Sequence, residues 1–265
     1  MLTPKAVLEW SADGTTVTKR FVDLPAYRLL QTPDTACRNE ARVNRLLLSR
    51  RPPVPSPALV HADLRDRSLT FEAVPGDPLG PKFPTDLTVA DAEGLVALVG
   101  ALRRYRPRRR WLRRLPVERR LQLHVDAGLL DGADAALVRS AASIDSSRWT
   151  FAHGDVTARN VLRLADGHLV LIDWEWAGVH PPLYDVAFLS FSLALDDTAR
   201  HRITATVPPG RRRSFLVSTV LIQLLHLNMW QDRGGEPTPF EQAHAERHRV
   251  DLAELRRLTA ATRTS

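Results

Sequence analysis

The segment from Phe151 to Asp173 limits the possible folds more than any other part of the sequence, and it reads FAHGDVTARNVLRLADGHLVLID. Two apolar runs flank Asp166-Gly167, a pair that strongly favours the turn of a β-hairpin. If these two residues form the whole turn, Asn160 faces Asp173 on the opposite strand, with Cβ atoms about 5 Å apart. Two oxygen donors at this separation suit a hard cation such as Mg²⁺. The segment therefore predicts a metal-binding hairpin, with Asp155 on the loop that precedes it.

Lys19 and Glu40 supply a second constraint. Residues 6–22 read as a hairpin with its turn at Asp13-Gly14, and residues 35–49 read as a helix. Glu40 lies in the middle of the apolar stripe of this helix, where a carboxylate needs a partner. Lys19, one of only three lysines beside 34 arginines, is the natural partner. A lysine held by a glutamate opposite a metal site is an arrangement that suits a phosphate group.

The order of the predicted elements indicates an α+β fold with two lobes. Short strands at 58–62 and 68–74 follow the first helix, and a connector rich in proline and glycine covers 75–84. Beyond it we expect helices at about 88–104, 131–144, 182–195, 212–230 and 238–260, interrupted by strands around 150–173. The chain thus divides into a small antiparallel-sheet N-lobe, residues 1–74, and a mainly helical C-lobe, residues 75–265, with a cleft between them.

Three motifs, HGDVTARN, LIDWEWAG and PPLYDVAFL, resemble those of the aminoglycoside phosphotransferase and choline kinase superfamily, which has the protein-kinase-like fold. The resemblance spans most of the chain, from Lys19 to Asp185, and the first two motifs at this spacing are highly specific. It implies transfer of the γ-phosphoryl group from Mg·ATP, or from GTP, to a hydroxyl group. The transition state of this transfer is loose, so positioning and charge neutralisation supply the catalysis.

The resemblance implies roles for the charged residues of the predicted site. Asp155 is similar in position to the catalytic base that orients the substrate hydroxyl. Asn160 and Asp173 match the metal ligands. Lys19 and Glu40 match the ion pair that positions the nucleotide.

Five further residues receive supporting roles from the same resemblance. His153 matches a structural member of the catalytic loop, and Asp185 matches a carboxylate that braces this loop. The residues from Glu72 to Val74 correspond to a hinge whose backbone groups meet the adenine.

The chain departs from the pattern of the family at two places. Lys19 belongs on the third strand of this fold, so the hairpin 6–22 supplies strands two and three, and Gly14 serves only a hairpin turn rather than a loop over the phosphates. His180 and Pro181 stand where family members often have a Gly and an Asp, which changes the shape of the loop and bears on substrate access.

Composition and charge favour a cytoplasmic protein without a membrane segment. We expect no secretory signal at the start, and the most apolar stretch, 215–230, is too short and too polar for a membrane span. The single cysteine, Cys37, rules out an internal disulfide and fits a reducing compartment. The net charge of +7 rests on arginine rather than lysine, which suggests GC-rich coding rather than a nucleic-acid partner.

Two clusters of basic residues have competing interpretations. The segment 103–120 contains ten arginines and could bind nucleic acid, but a solvated connection between helices is preferred. His244 and His248 lie four residues apart beside Glu241, without the zinc-binding H-E-x-x-H pattern, and a solvated helix face is the preferred interpretation.

The acceptor substrate stays open between two chemical classes. The favoured acceptor is an aminoglycoside or another hydroxylated antibiotic, and the alternative is choline or another amino alcohol. Trp176 and Trp230, with Asp232, are the candidate substrate contacts, because an aromatic ring can hold a cation. A polycationic antibiotic would need an acidic pocket, which five C-terminal residues could supply: Asp196, Asp197, Asp232, Glu236 and Glu241.

Overall fold

The computed structural model describes residues 6–23, 31–49, 54–107, 110, 112–144 and 146–263. Its N-terminal part contains an antiparallel sheet of four strands in the order β1-β2-β4-β3. The strands are β1 (Ala6–Trp10), β2 (Thr16–Phe21), β3 (Leu59–Asp63) and β4 (Ser68–Glu72). The predicted hairpin is confirmed, with Lys19 on β2, and Gly14 adopts a left-handed conformation in its turn.

Helix α1 (Pro33–Ser49) joins the sheet to the rest of the molecule. One part of its apolar stripe, around Cys37 and Ala41, closes a small core with Phe21 and Phe71 from the sheet. The next turns contribute to the large core of the helical part, through residues such as Leu47. Because α1 belongs to both cores, the middle of the helix lies where the two meet.

The connector contains a strand that the sequence did not predict. Residues 76–78 form β5 (Gly76–Pro78), which pairs with β7 (Val161–Leu164), and β7 pairs in turn with β8 (Leu169–Leu171). The connector is therefore attached to the predicted metal-binding hairpin by backbone hydrogen bonds. The division into lobes at residues 74 and 75 stays a prediction.

The hairpin 161–171 is present, but the predicted two-residue turn is wrong. Val161 pairs with Leu171 and Arg163 with Leu169, so the turn contains three residues and ends on Gly167 in a left-handed conformation. The extra residue moves the register by one, and Asn160 pairs through its backbone with Ile172, not with Asp173. The predicted direct opposition of Asn160 and Asp173 is therefore wrong.

The five expected helices are present, and two more accompany them. The expected helices are α2 (Val89–Arg104), α4 (Gly132–Ile144), α5 (Tyr184–Ser192), α7 (Arg212–Arg233) and α8 (Pro239–Arg263). The additional ones are α3 (Val117–Asp126) and α6 (Asp197–Thr204). Both are short and charged, and α6 buries only Ala199 and Ile203, which explains the weak apolar pattern. A two-stranded sheet of β6 (Thr150–Ala152) and β9 (Gly178–His180) completes the fold.

Helices α7 and α8 form the C-terminal wall of the large core. The side chains of α7 are buried on nearly every side, as expected for its apolar sequence. None of the helices among the described residues has both the length and the apolar character that crossing a bilayer requires.

Two histidines of α8 are buried, which overturns the prediction for this helix. His244 and His248 are buried against α7, where His248 Nδ1 lies 3.2 Å from Gln223 Oε1, so the solvated-face interpretation is wrong. Burial lowers the pKa of each of them to about 4. His124 and His180 are also buried with a lowered pKa, and we call these four residues with lowered pKa the buried histidines.

Candidate active site

The loop after β6 is held by hydrogen bonds to Asp185, which lies in the first turn of α5. The backbone N–H of His153 donates to Asp185 Oδ2, and that of Gly154 donates to Asp185 Oδ1, both at 2.9 Å. Burial raises the pKa of the Asp185 carboxyl above its usual value, against the lowering effect of the two N–H groups. One carboxylate thus fixes the two residues that precede Asp155.

The ring of His153 fixes the same loop from a second side. The ring is fully buried and meets the ring of Trp174 edge to face. Its Nδ1 lies 3.3 Å from the Asp155 backbone nitrogen, and its Nε2 lies 2.9 Å from the Ile172 carbonyl oxygen. An N–H can only donate and a carbonyl can only accept, so His153 is the neutral tautomer with its proton on Nε2.

Gly154 is needed for the close packing of this loop. Its φ of 86° lies in the left-handed region. A Cβ at this position would lie 2.6 Å from the carbonyl oxygen of Trp176, a backbone atom. The loop can therefore approach the segment after Asp173 only with glycine here.

Asn160 closes the loop by bonding to Asp155. Its side-chain Nδ2 donates to the Asp155 carbonyl oxygen at 2.9 Å and to Asp155 Oδ2 at 3.0 Å. The two residues predicted to share the site therefore touch, although the register of the hairpin differs from the prediction. The bond also sets the direction of the Asp155 carboxylate.

Lys19 lies at the centre of a cluster of carboxylates from both parts of the fold. Its Nζ lies 2.7 Å from Glu40 Oε2, which confirms the predicted ion pair, and 2.6 Å from Asp173 Oδ1. Glu175 Oε2 lies 3.3 Å from the same nitrogen. The sheet, helix α1 and the segment after β8 thus meet at one ammonium group.

Burial controls the charges of this cluster. Burial alone would lower the pKa of Lys19, but Asp173, Glu40 and Glu175 raise it well above its usual range. Burial raises the pKa of Glu40 to about 7, with Asp173 and Glu175 adding to the effect and Lys19 opposing it. Three carboxylates share one ammonium, so the fully ionised cluster carries two excess negative charges. Such a cluster favours the uptake of a cation.

Helix α1 also holds the segment after Asp173. The second oxygen of Glu40, Oε1, accepts the backbone N–H of Trp174 at 3.1 Å. Asn39 donates from Nδ2 to the carbonyl oxygens of Glu175 and Ala177, both at 2.9 Å. Asn39 and Glu175 are functional candidates that the sequence reasoning missed. The signal for them was a second polar residue beside Glu40 on the buried stripe, and a second acid in DWEW.

Asp173 has a left-handed backbone, with φ of 67° and ψ of 64°. Asp is one of the few residues other than glycine that adopt this conformation, and its presence here points to a constraint on the site. The carboxylate is a quarter exposed, while Glu40 and Glu175 are almost fully buried. Carboxylate oxygens are the ligands that Mg²⁺ prefers, and the excess negative charge matches a divalent ion, so these residues fit Mg²⁺.

The predicted hinge at Glu72 to Val74 lies at the end of β4. The N–H of Ala73 donates to the Thr15 carbonyl oxygen, and the Val74 carbonyl oxygen accepts the N–H of Gly76, both at 2.9 Å. These two backbone groups are engaged within the protein. The contact of the hinge with adenine stays a prediction.

A small open cavity lies directly beside Asp155, and the centre of a water molecule can occupy about 20 Å³ of it. Trp176 lines it, and its role as a substrate contact stays a prediction. Trp230 and Asp232 are not among the described residues of its wall. Trp230 packs with Phe191 and Phe240 in an aromatic cluster, and Asp232 is exposed near the end of α7.

The sequence reasoning missed Arg120, which the structure places in the wall of this cavity. It lies on α3, inside the arginine-rich segment 103–120. Three of the described arginines of that segment are engaged at different places. Arg113 donates to Gln31, Arg114 covers the ring of Trp149, and Arg120 is buried.

The sequence model of one protein family, described as the phosphotransferase enzyme family, matches residues 11–213. This range includes every charged residue of the site described above. No curated protein sequence matches the chain significantly.

Solved structures of kinases share the fold of the chain at low sequence identity. A choline/ethanolamine kinase family protein from Mesorhizobium loti has a TM-score of 0.68 at 16% identity, over 100% of this chain and 92% of that one. A choline kinase from Streptococcus pneumoniae has a TM-score of 0.61 at 13% identity, over 96% and 91%. An ADP-bound aminoglycoside phosphotransferase, APH(2″)-Ib, has a TM-score of 0.60 at 13% identity, over 96% and 90%.

Proposed function

Because the chain belongs to the phosphotransferase enzyme family, we propose that it transfers the γ-phosphoryl group of ATP or GTP to a hydroxyl of a small molecule. One observation carries this proposal. Lys19, from the N-terminal sheet, lies within 2.7 Å of Glu40 and 2.6 Å of Asp173, close to the loop that presents Asp155. A cation for phosphate, ligands for a metal and a base for a hydroxyl are the parts that phosphoryl transfer needs.

In the proposed reaction, Asp155 orients the acceptor hydroxyl and receives its proton. The hydroxyl oxygen forms a bond to the γ-phosphorus as the bond from that phosphorus to the β,γ-bridging oxygen breaks, and the nucleoside diphosphate leaves. The bonds from Asn160 keep the Asp155 carboxylate in one orientation. Asp185 and His153 hold the backbone on which it stands. The contribution of these residues is positioning, which supplies most of the catalysis when the transition state is loose.

Lys19 is the proposed contact for the nucleotide phosphates, and Glu40 keeps its ammonium in place. Asp173 and Asn160 would hold Mg²⁺, and Glu175 lies near enough to Asp173 to join them. When bound, Mg²⁺ neutralises negative charge on the phosphates. The adenine or guanine would lie against the backbone of Glu72 to Val74. The single cysteine, Cys37, is buried and unpaired, which supports the cytoplasm as the compartment.

The expectation of an aminoglycoside acceptor required an acidic pocket. The five acidic residues considered for it serve other contacts or lie exposed. Asp196 caps α6 and accepts the N–H of Leu87, and Glu241 pairs with Arg233. The described wall of the cavity beside Asp155 contains Lys82 and Arg120. These charges disfavour a polycation, and also choline, as the acceptor.

The nucleic-acid hypothesis for segment 103–120 is weakened by the contacts of three of its arginines. Three of its described arginines, Arg113, Arg114 and Arg120, face a glutamine, a tryptophan ring and the interior, so these three do not present their charges together. A surface that binds nucleic acid through its phosphates needs several cations on one face.

The test is Mg²⁺-dependent release of ADP or GDP with a panel of hydroxylated acceptors, which includes aminoglycosides, amino alcohols and hydroxy acids. Asp155→Asn should abolish turnover, because the base is lost while the shape is kept. The same substitution at Asp166, in the exposed hairpin turn, is the matched control and should leave turnover unchanged. Turnover that survives Asp155→Asn, or none with any acceptor and either nucleotide, would overturn the proposal. Steep salt-dependent binding to DNA or RNA would favour the nucleic-acid hypothesis instead.

A further inference from the structure

Arg120 is a buried cation in the wall of the cavity that contains Asp155. Its side chain is 4% exposed, and it is the only arginine among the described residues that is buried to this degree. One guanidinium nitrogen donates to the hydroxyl of Tyr184 at 3.3 Å, and the guanidinium carbon lies 5.5 Å from the centre of the Trp176 ring. Both contacts are with neutral groups.

No carboxylate of the described residues lies within ion-pairing distance of this guanidinium. Other arginines of the chain have such partners although they are far more exposed. Arg212, 38% exposed, binds Glu254 through two nitrogens, and Arg256, 54% exposed, binds Asp134 in the same way. A buried cation without a counter-ion is costly, and its persistence points to an anion supplied from outside the protein.

The other groups of the cavity wall do not supply this anion. Lys82 adds a second cation, and Phe188, Leu225 and Met229 are apolar. His180 Nε2 lies 3.0 Å from the Trp176 carbonyl oxygen, and burial, together with the charge of Arg120, lowers the pKa of His180 to about 3. Asp155 is the only acidic residue in the described wall, and the proposed reaction gives it to the acceptor hydroxyl.

We propose that the acceptor substrate carries an oxyanion group, a carboxylate or a phosphate, which Arg120 binds while the hydroxyl of the same molecule lies against Asp155. This inference rests on the proposed function, and it narrows the acceptor class. The planar guanidinium matches a carboxylate or phosphate through two parallel hydrogen bonds. The apolar residues of the same wall favour a short aliphatic segment, and the small size of the cavity limits the acceptor to a small molecule.

The experiment compares acceptors that differ only in one end group. Series of three- to six-carbon polyols end in a carboxylate, a phosphate, a neutral alcohol or an amine, for example glycerate, glycerol 3-phosphate, glycerol and 3-aminopropane-1,2-diol. Turnover is measured with saturating Mg·ATP, and binding is measured separately as the shift in thermal unfolding midpoint. We expect turnover and binding with the carboxylate series or the phosphate series, and the better of the two identifies the oxyanion.

Variants at and around Arg120 separate binding from bracing. Arg120→Met should raise KM for the anionic acceptor about 10- to 100-fold, the worth of a lost charge-assisted pair. KM for the nucleotide should not change. Arg120→Lys should recover part of the loss. Arg119→Met, which removes an exposed neighbour on the same helix, is the matched control and should leave KM within about twofold. Tyr184→Phe removes the hydroxyl to which Arg120 donates, and turnover should still depend on the anionic group of the acceptor.

Each other outcome overturns the inference in a recognisable way. Asp155-dependent turnover of amines or neutral polyols in preference to anions would keep the proposed function and refute the anionic acceptor. A Tyr184→Phe variant that reproduces the loss in Arg120→Met would make Arg120 a structural brace. A rise in nucleotide KM without a change in acceptor KM would assign Arg120 to the nucleotide. If no acceptor is turned over, the proposed function fails, and equal thermal shifts with anions in Arg120→Met and Arg119→Met would refute anion binding as well.

Discussion

Replacing Asp185 by asparagine should separate loop positioning from stability, because the Asp185 carboxylate contacts only the backbone on which Asp155 stands. The carboxylate accepts two buried N–H groups at 2.9 Å, and the amide of asparagine can accept only one of them. Hydrogen bonds to a charged group contribute about 1.5–3 kcal/mol, and a buried unsatisfied N–H costs about 1–3 kcal/mol. Burial raises the pKa of Asp185, so the loss of a buried charge offsets part of this cost. We expect the variant to lose about 2 kcal/mol of unfolding free energy, or about 4–8 °C of Tm.

The effect on catalysis should be larger than the effect on stability. Displacement of a catalytic group by about 1 Å can cost about 100-fold in rate, so kcat should fall by about that factor while KM for the nucleotide stays within a few-fold. Steady-state kinetics and thermal unfolding on the same preparations measure both effects. Asp134→Asn is the matched control, because Asp134 is a buried acid with a two-nitrogen arginine partner, Arg256, and is not a residue of the site. That variant should lose stability and keep kcat. An Asp185→Asn enzyme with reduced Tm and unchanged kcat would refute the positioning role.

Three further predictions concern the same structure. Lys19→Met removes the only ammonium among three carboxylates. We expect kcat/KM for the nucleotide to fall at least about 100-fold and the free energy of unfolding to fall by about 3–5 kcal/mol. Unchanged nucleotide kinetics would contradict this prediction. Gly154→Ala should lower kcat and Tm, because the added Cβ would lie 2.6 Å from a backbone oxygen. Gly167→Ala is the control: Gly167 has a similar φ but open space around it, so the substitution should cost only about 1–2 kcal/mol of stability. Equal losses of kcat in the two variants would refute the packing argument. The buried histidines have folded pKa values of about 3 to 4, below the unfolded value, so their stabilisation is present above about pH 6.5 and is lost as pH falls toward 4. At pH 5, protonation of each of these histidines in the unfolded chain should lower the free energy of unfolding by about 2 kcal/mol. Urea unfolding at pH 7, 6 and 5 should show this decline. The variant His168→Gln, which changes an exposed histidine, is the control and should show the same decline.

The charged centre was predictable because its members are marked by local patterns. Helical spacing places Glu40 inside an apolar stripe, which by itself demands a cation, and the scarcity of lysine identifies Lys19. The structure confirms this pair at 2.7 Å. The α+β architecture was predictable from periodicity, which is a property of the sequence alone. The kinase-like fold was implied by the resemblance of three motifs to a known superfamily.

The hairpin register was not predictable, because it depends on a small difference between turns. Asp166-Gly167 fits a two-residue turn. A three-residue turn that ends on Gly167 accommodates the same two residues and takes one more residue from the first strand. The observed contact of the Asn160 side chain therefore differs from the predicted one. Its amide donates to Asp155 instead of facing Asp173. A single residue of slip is enough to redirect a side chain on a strand.

Burial of polar side chains was the other failure of prediction. Spacing places His244 and His248 on one face of α8, but only the packing of α8 on α7 decides that this face is inside. Arg120 is the sharper example. Ten arginines within eighteen residues look equivalent in the sequence, and the tertiary position of α3 selects one of them for the interior. Local pattern identifies a candidate surface, whereas burial is a property of contacts between distant segments.

The site has a negatively charged region and a positively charged region on either side of Asp155. On the Lys19 side, three carboxylates and one ammonium leave two excess negative charges, which a divalent cation would balance. On the Trp176 side, Arg120 and Lys82 make the cavity positive, and Asp155 stands between the two. A nucleotide with its metal suits the first region, and an anionic acceptor suits the second. A cationic acceptor would meet like charges in the cavity, where low solvent access strengthens every repulsion. The sign of the charge around Asp155, rather than the fold shared with choline kinases and aminoglycoside phosphotransferases, is therefore the property from which we propose the acceptor class.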